Sequence, residues 1–229
     1  MAPLKIDAHQ HIILKQAIER NPDLAQGMKA PDWVLERTLI FMASNNIGTS
    51  ILSCPLTVCL ASIRDRYPTQ FGFFATLPSA EDTARCIDEI RYALDILKAD
   101  GVELFTSYKD NRAAGVFTHP MMEDIMKSIN EPLMIPRVLM DWSHETTRTV
   151  VHLILTNTMR RCAANCRIIL PYGAGTLPFV AGRSADESLA DARLFYFDLA
   201  LVGHALPLQL VMDSTSDGHV LYGTDYAAV

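Results

Sequence analysis

Two histidines one residue apart, His9 and His11, stand near the start of the 229-residue chain, in an apolar segment (residues 4–13) that reads as a strand. Residues two apart on a strand point to the same face, so both imidazoles can reach one point. A neutral imidazole is a common ligand for a divalent transition metal. Asp7 precedes the pair. At the other end, Gly223, Thr224 and Asp225 close a strand read over residues 219–222 and add a carboxylate. Either feature alone is a weak signal: two polar residues at a strand end, or an aspartate in a turn. Together they make a three-ligand site only if the first and last strands are neighbours, as in a closed barrel whose active face lies at the C-terminal ends of its strands.

Other reactive side chains read differently. Ser143 and Ser184 have no nucleophile-elbow context. No phosphate-binding glycine loop is present, so nucleotide binding is not indicated. His144 follows a helix-opening serine and reads as a surface or capping residue, with substrate contact the alternative. His204 follows Gly203 after a strand, on the expected active face. His219 starts a strand and reads as structural. Arg148 and Arg183 are candidates to hold a carboxylate or a helix end. The five cysteines, Cys54, Cys59, Cys86, Cys162 and Cys166, are odd in number and scattered. They read as ordinary buried thiols rather than a disulfide framework, although Cys162 and Cys166 have the spacing to face each other on a helix.

The elements that must position these residues alternate. Strands are expected at 4–13, 49–54, 71–77, 102–107, 167–170, 195–201 and 219–222. Helices are expected at 32–43, from a Ser79 cap to Asp100, at 121–129, from Ser143 through Met159, over 179–192 with an interruption near Gly182, and at 206–212. Residues 132–138 are apolar but carry two prolines, a poor central strand. Strand–helix alternation without an internal repeat or linker is the pattern of a parallel sheet. The fold expected is an α/β, TIM-like (β/α)8 barrel, incomplete, forming a single domain over residues 1–229, with an open doubly wound sheet as the alternative. A full barrel at this length is near the lower size limit.

Composition narrows the function classes. Apolar residues make up 49% of the chain, enough for a real core, and the formal net charge is −6. An acidic balance with no run of Lys or Arg argues against nucleic-acid binding. No stretch reaches about 18 uninterrupted apolar residues, so no membrane span is expected. The N-terminus shows no signal-peptide pattern, so a cytoplasmic location is expected.

Several segments carry a resemblance: IDAHQHI (6–12), FGFFATLPSAEDTARCIDEIRYALDILKADGVELFTSY (71–108), SHETTRTVVHLIL (143–155), IILPYGAGTLPFVAGR (168–183), LFYFDLAL (194–201) and HVLYGTDY (219–226). In this order, and over nearly the whole chain, they resemble the amidohydrolase superfamily. The branch is that of aminocarboxymuconate-semialdehyde and fungal 6-methylsalicylate decarboxylases. The resemblance implies a barrel holding one divalent metal, zinc or manganese. Its HxH ligands fall on His9 and His11, and its last-strand aspartate on Asp225. It implies decarboxylation of a small aromatic acid, with Asp225 as ligand and proton carrier, and a homodimer.

Three departures touch the chemistry. The family's third histidine ligand has no counterpart where Ile129-Asn130 runs into Glu131-Pro132, and His119-Pro120 is a poor substitute. Tyr172 stands where the family has the histidine of HAGGTLP and is the catalytic candidate at that position; a phenol with a pKa of about 10 is a poor base near neutrality but can donate a hydrogen bond or ligate a metal weakly. The stretch after Pro55-Leu56-Thr57 is short, with its helix largely absent. Relatives also continue past Asp225 into a loop and helices. A truncated, mis-spliced or decayed gene product would look like this, with folding compromised and activity weak or absent. Two alternatives follow: a hydrolase of the same superfamily, and a catalytically silent binding or regulatory paralogue.

Overall fold

The structure, a computed structural model, describes residues 4–12, 33–54, 56–105, 141–162, 165–181 and 191–227. It is a curled parallel sheet clothed by helices, in keeping with an incomplete barrel. The first half runs β1 (Lys5–His11), α1 (Leu35–Ser44), β2 (Ile47–Cys54), α2 (Thr57–Arg66), β3 (Phe71–Thr76), α3 (Thr83–Arg91) and β4 (Gly101–Glu103). The second runs α4 (Asp141–Leu155), α5 (Thr158–Cys162), β5 (Ile169–Leu170), α6 (Leu177–Ala181), β6 (Tyr196–Asp198), α7 (Ala205–Ser214) and β7 (Val220–Leu221).

The strands form two parallel sheets, β1-β2-β3-β4 and β5-β6-β7. They join where β1 meets the end of β7. Ala8 N donates to Tyr222 O at 2.8 Å, His11 N donates to Tyr226 O at 2.7 Å, and Gln10 bridges Tyr226 in parallel. The continuous order is therefore β4-β3-β2-β1-β7-β6-β5. Each βα crossover returns the chain to the same edge, so every strand presents its C-terminal end on one face.

The core lies between sheet and helices in two clusters. One gathers Met42, Leu52, Leu60, Phe71 and Phe73 under α1–α3. The other gathers Val150, Met159, Phe195, Phe197 and Val211 under α4–α7. Each buries one stripe of its helices, as amphipathic elements must.

Several expectations are corrected. A ten-residue helix, α2, does follow Pro55-Leu56-Thr57; it buries Thr57, Leu60 and Ala61 at helical spacing. Its Arg64 donates to the carbonyls of Leu97 and Lys98 at 2.7 and 2.8 Å, tying the ends of two crossovers together. The cap of α3 is Asp82, whose carboxylate accepts from Arg85 N, and not Ser79. Cys162 ends α5 and Cys166 lies beyond it, exposed, so the two do not share a helix face. The strands expected at 167–170, 195–201 and 219–222 keep two or three paired residues each. His119-Pro120, the helix read at 121–129, the stretch 132–138, Arg183 and Ser184 lie outside the described residues. Among the described residues no helix is long and apolar enough to cross a membrane.

Phe73 is fully buried, with the Arg64 guanidinium 5.2 Å from its ring centre. Phe73→Ala is expected to cost about 3–5 kcal/mol, the usual range for emptying an aromatic core position, read as a lower urea midpoint.

Candidate metal centre

β1 is irregular where it matters. Its register with β2 slips between Asp7 and Gln10, a bulge of the kind that re-aims side chains beside functional sites. The His9 carbonyl accepts from both Thr224 N and Asp225 N, so the turn after β7 closes over the bulge. Asp7 fixes that turn. Its fully buried carboxylate accepts from Thr224 Oγ1 at 2.6 Å, Thr224 N at 3.1 Å and His9 N at 3.2 Å. Burial raises the Asp7 pKa, and these donors oppose it. Asp225 itself sits at φ 59°, a left-handed conformation that aspartate tolerates better than most residues. Gly223 has no room for a side chain: a Cβ there would meet His9 Cβ at 2.9 Å.

The result is convergence. His9 Nε2 and His11 Nε2 are 2.9 Å apart, and Asp225 Oδ1 lies 3.4 and 3.3 Å from them. These are the three side chains that the sequence singled out as ligands. The outer ring nitrogens are also held. His9 Nδ1 is 2.8 Å from Asp198 Oδ2, and His11 Nδ1 is 2.8 Å from Ser53 Oγ. Tyr172 leans over the pair, its ring centre 5.2 Å from that of His9. It sits in a run of left-handed residues, Tyr172 to Gly175, with φ between 57° and 63°.

The charges explain how such a cluster persists. Burial alone would lower the His9 pKa, but the carboxylates of Asp198 and Asp225 outweigh it and push it up to about 10. Burial raises Asp225, but His11 and His9 outweigh that and bring it down to about 2. Burial, with the negative charges of Asp225, Asp198 and Glu103, drives Tyr172 far above the ordinary phenol range. Tyr172 therefore remains a hydrogen-bond donor and is not a base.

The other sequence candidates stand apart. His144 is exposed, with Nδ1 3.2 Å from Thr176 Oγ1. His204 precedes α7 without a side-chain capping bond. His219 contacts Phe195 O through Nδ1 and stacks on Tyr196. The structure adds Asp198, Ser53 and Glu103, which the sequence reading did not single out. Their one signal was position: each ends or nearly ends a parallel strand. Tyr172 also lines a cavity of about 320 Å3 with Ser143, Thr176, Phe179, Leu201 and Val202.

The donor set fits a metal. Asp225 Oδ1 is buried, accepts no hydrogen bond, and faces two imidazole nitrogens. Ligands about 2.1 Å from a tetrahedral ion are themselves about 3.4 Å apart, close to the spacing seen. Two imidazoles and a carboxylate suit zinc or manganese, and three protein ligands leave a position open, as in catalytic sites.

Comparison with known proteins decides the family. No family model matches the chain. A 6-methylsalicylic acid decarboxylase from Aspergillus aculeatus is 34% identical, covering 97% of this chain and 84% of that protein. One from Penicillium expansum is 32% identical, with the same two coverages. The chain belongs to the 6-methylsalicylic acid decarboxylase family. The first alignment runs over 280 positions, more than the 229 residues of this chain, so the chain lacks internal stretches that this relative has. Among solved structures, an amidohydrolase II protein superposes with a TM-score of 0.82 at 22% identity, covering 98% of this chain and 87% of its own. The 5-carboxyvanillate decarboxylase of Novosphingobium aromaticivorans, complexed with manganese, gives 0.69 at 13%, covering 99% and 87%. The fold is thus that of TIM-barrel amidohydrolases.

The linked ionisations set a pH signature for the metal-free chain. The raised His9 contributes stability that is full below pH 6.5, its unfolded value, and is lost as pH rises through about 10. The lowered Asp225 contributes above pH 3.8 and loses it as pH falls through about 2. The difference in unfolding free energy between wild type and His9→Gln, measured in chelator, is therefore expected to be largest between about pH 4 and 6.5. It should shrink by several kcal/mol towards pH 10. A pH-independent difference would contradict the ion-paired cluster.

Proposed function

We propose that the chain is a metal-dependent decarboxylase of a small aromatic carboxylic acid such as 6-methylsalicylic acid, one domain acting through His9, His11 and Asp225. The observation that carries the reading is the convergence of those side chains on one point, around a buried carboxylate oxygen that accepts no hydrogen bond. Family membership supports it. The cavity that shares Tyr172 with the centre is at the small end for a ligand pocket and apolar at Phe179, Leu201 and Val202, which suits a single ring.

His9, His11 and Asp225 would hold the ion. When bound, it would supply Lewis-acid stabilisation of the negative charge that develops on the substrate. The chemical difficulty is a ring carbanion, which is too costly to release directly. Protonation of the ring carbon that bears the carboxylate avoids it: the C–H bond forms, the C–CO2 bond then breaks, and its electron pair restores the aromatic ring. Asp225 is the proton carrier in this reading. It is ionised near neutrality, so it first takes up from solvent the proton that it then delivers to the ring carbon. Tyr172, held as a phenol, donates a hydrogen bond towards the substrate and supplies no base. A hydrolytic reaction needs that base, so decarboxylation is the better account. With three candidate ligands among the described residues and no sequence counterpart of the family's third histidine, low turnover is expected.

The test is metal content by elemental mass spectrometry, beside CO2 release from 6-methylsalicylate. About one zinc or manganese per chain is expected, lost in His9→Ala and His11→Ala. CO2 release should fall by about 100-fold or more in both. A folded chain with little metal and no CO2 release would replace this reading with the silent paralogue.

A further inference from the structure

Asp198 is buried at the C-terminal end of β6, and its two oxygens do different work. Oδ2 lies 2.8 Å from His9 Nδ1. Oδ1 accepts from Tyr172 N at 3.2 Å and from Ala200 N at 3.0 Å. One carboxylate therefore joins three strand ends: β1 through His9, β5 through Tyr172, and β6 through its own loop. Its neighbour across the sheet, Gly223, leaves the space that lets His9 approach; a Cβ there would also lie 3.3 Å from Asp198 Oδ1.

A carboxylate can only accept, so the ring nitrogen that faces it must carry the proton. That leaves Nε2 of a neutral His9 bare and aimed at His11 Nε2 and Asp225 Oδ1. We infer that Asp198 is the positioning residue of this centre: it fixes His9 in its ligating tautomer and, through the same carboxylate, sets Tyr172 over the site. The inference rests on the metal reading above. His11 is held on a weaker principle, because the Ser53 hydroxyl 2.8 Å from its Nδ1 can donate or accept and so selects no tautomer.

Asp198→Asn separates the two roles. The amide oxygen can still accept from Tyr172 N and Ala200 N, but the amide nitrogen then faces His9 and donates, which moves the ring proton to Nε2. The reverse amide orientation is disfavoured, since it would set an NH2 group against two backbone N–H donors. The experiment is zinc titration and 15N NMR of the histidine rings in wild type, Asp198→Asn and Asp198→Ala. The expected result for Asp198→Asn is a 10- to 100-fold loss of zinc affinity, the range typical of outer partners of metal-bound histidine. The proton should leave Nδ1 of the neutral His9 ring. Asp198→Asn also removes a charge that holds protonated His9, so the metal-free chain is expected to melt below wild type near neutrality. Asp198→Ala loses the backbone acceptors too and is expected to melt lower still.

Zinc affinity in Asp198→Asn equal to wild type, or a proton still on His9 Nδ1, would overturn the assignment. If the wild-type chain takes up no zinc but the proton still leaves Nδ1 in Asp198→Asn, the metal reading falls and the positioning role stands. Should Asp198→Asn not fold, wild type alone decides: a His9 ring protonated at Nε2 and bare at Nδ1 refutes the inference.

Discussion

Everything at the candidate centre depends on the seam between the first strand and the last. His11 and Asp225 are more than two hundred residues apart in sequence, and nothing local brings them together. The seam does, with main-chain bonds from Ala8, His11, Thr224 and Asp225 and the threefold grip of Asp7 on the turn after β7. Asp7 is fully buried, and its desolvation is offset by hydrogen-bond donors from two strands. A carboxylate in this position is stable only with its donors in place, so it makes the correct seam the low-energy one. Closing the sheet there also removes the edge that β1 and β7 would otherwise expose.

The second constraint is electrostatic. Asp198, Asp225 and the nearby Glu103 crowd a small space with negative charge, and two imidazoles face them. In the metal-free chain the proton on His9 balances part of that charge, which is why His9 is pushed up while Asp225 is pushed down. A divalent cation would perform the same balance more completely and would engage Asp225 Oδ1, which accepts no hydrogen bond. The same field keeps Tyr172 protonated. One distribution of charge thus favours a cation at the centre and a neutral donor beside it. That combination suits a reaction in which a substrate anion is held while a proton is added.

Much of this is legible in the sequence because it follows from short periods. The strand period of two puts His9 and His11 on one face, and the rule that parallel sheets carry their chemistry at strand ends points to Asp225. What was not legible depends on contacts rather than pattern. Asp198 is a single aspartate that ends a three-residue strand, and only the folded sheet shows that His9, Tyr172 N and Ala200 N all reach it. Helix α2 has a weak amphipathic stripe, with arginines and serine interrupting it. Its stability comes from packing of Leu60 and Ala61 and from Arg64 bonding across to the next crossover, neither of which a periodicity reveals. The α3 cap moved from Ser79 to Asp82 for a related reason: both are good caps, and the chain path after Pro78 decides between them.

The centre is held together by the middle of the described sheet. The order β4-β3-β2-β1-β7-β6-β5 places β1 at its middle. Ser53 on β2, the histidines on β1, Asp225 after β7 and Asp198 on β6 occupy four adjacent strands, all joined by parallel pairing or by the seam. The ends of the described sheet, β4 and β5, are the strands farthest from the seam. Of the groups at the centre, Glu103 ends β4 and Tyr172 follows β5; Glu103 acts there through its charge, and Asp198 holds Tyr172 by its backbone nitrogen rather than by its ring. The arc β2-β1-β7-β6 therefore carries every candidate ligand and the groups that orient the two imidazoles, so the donor set depends on the seam and not on β4 or β5.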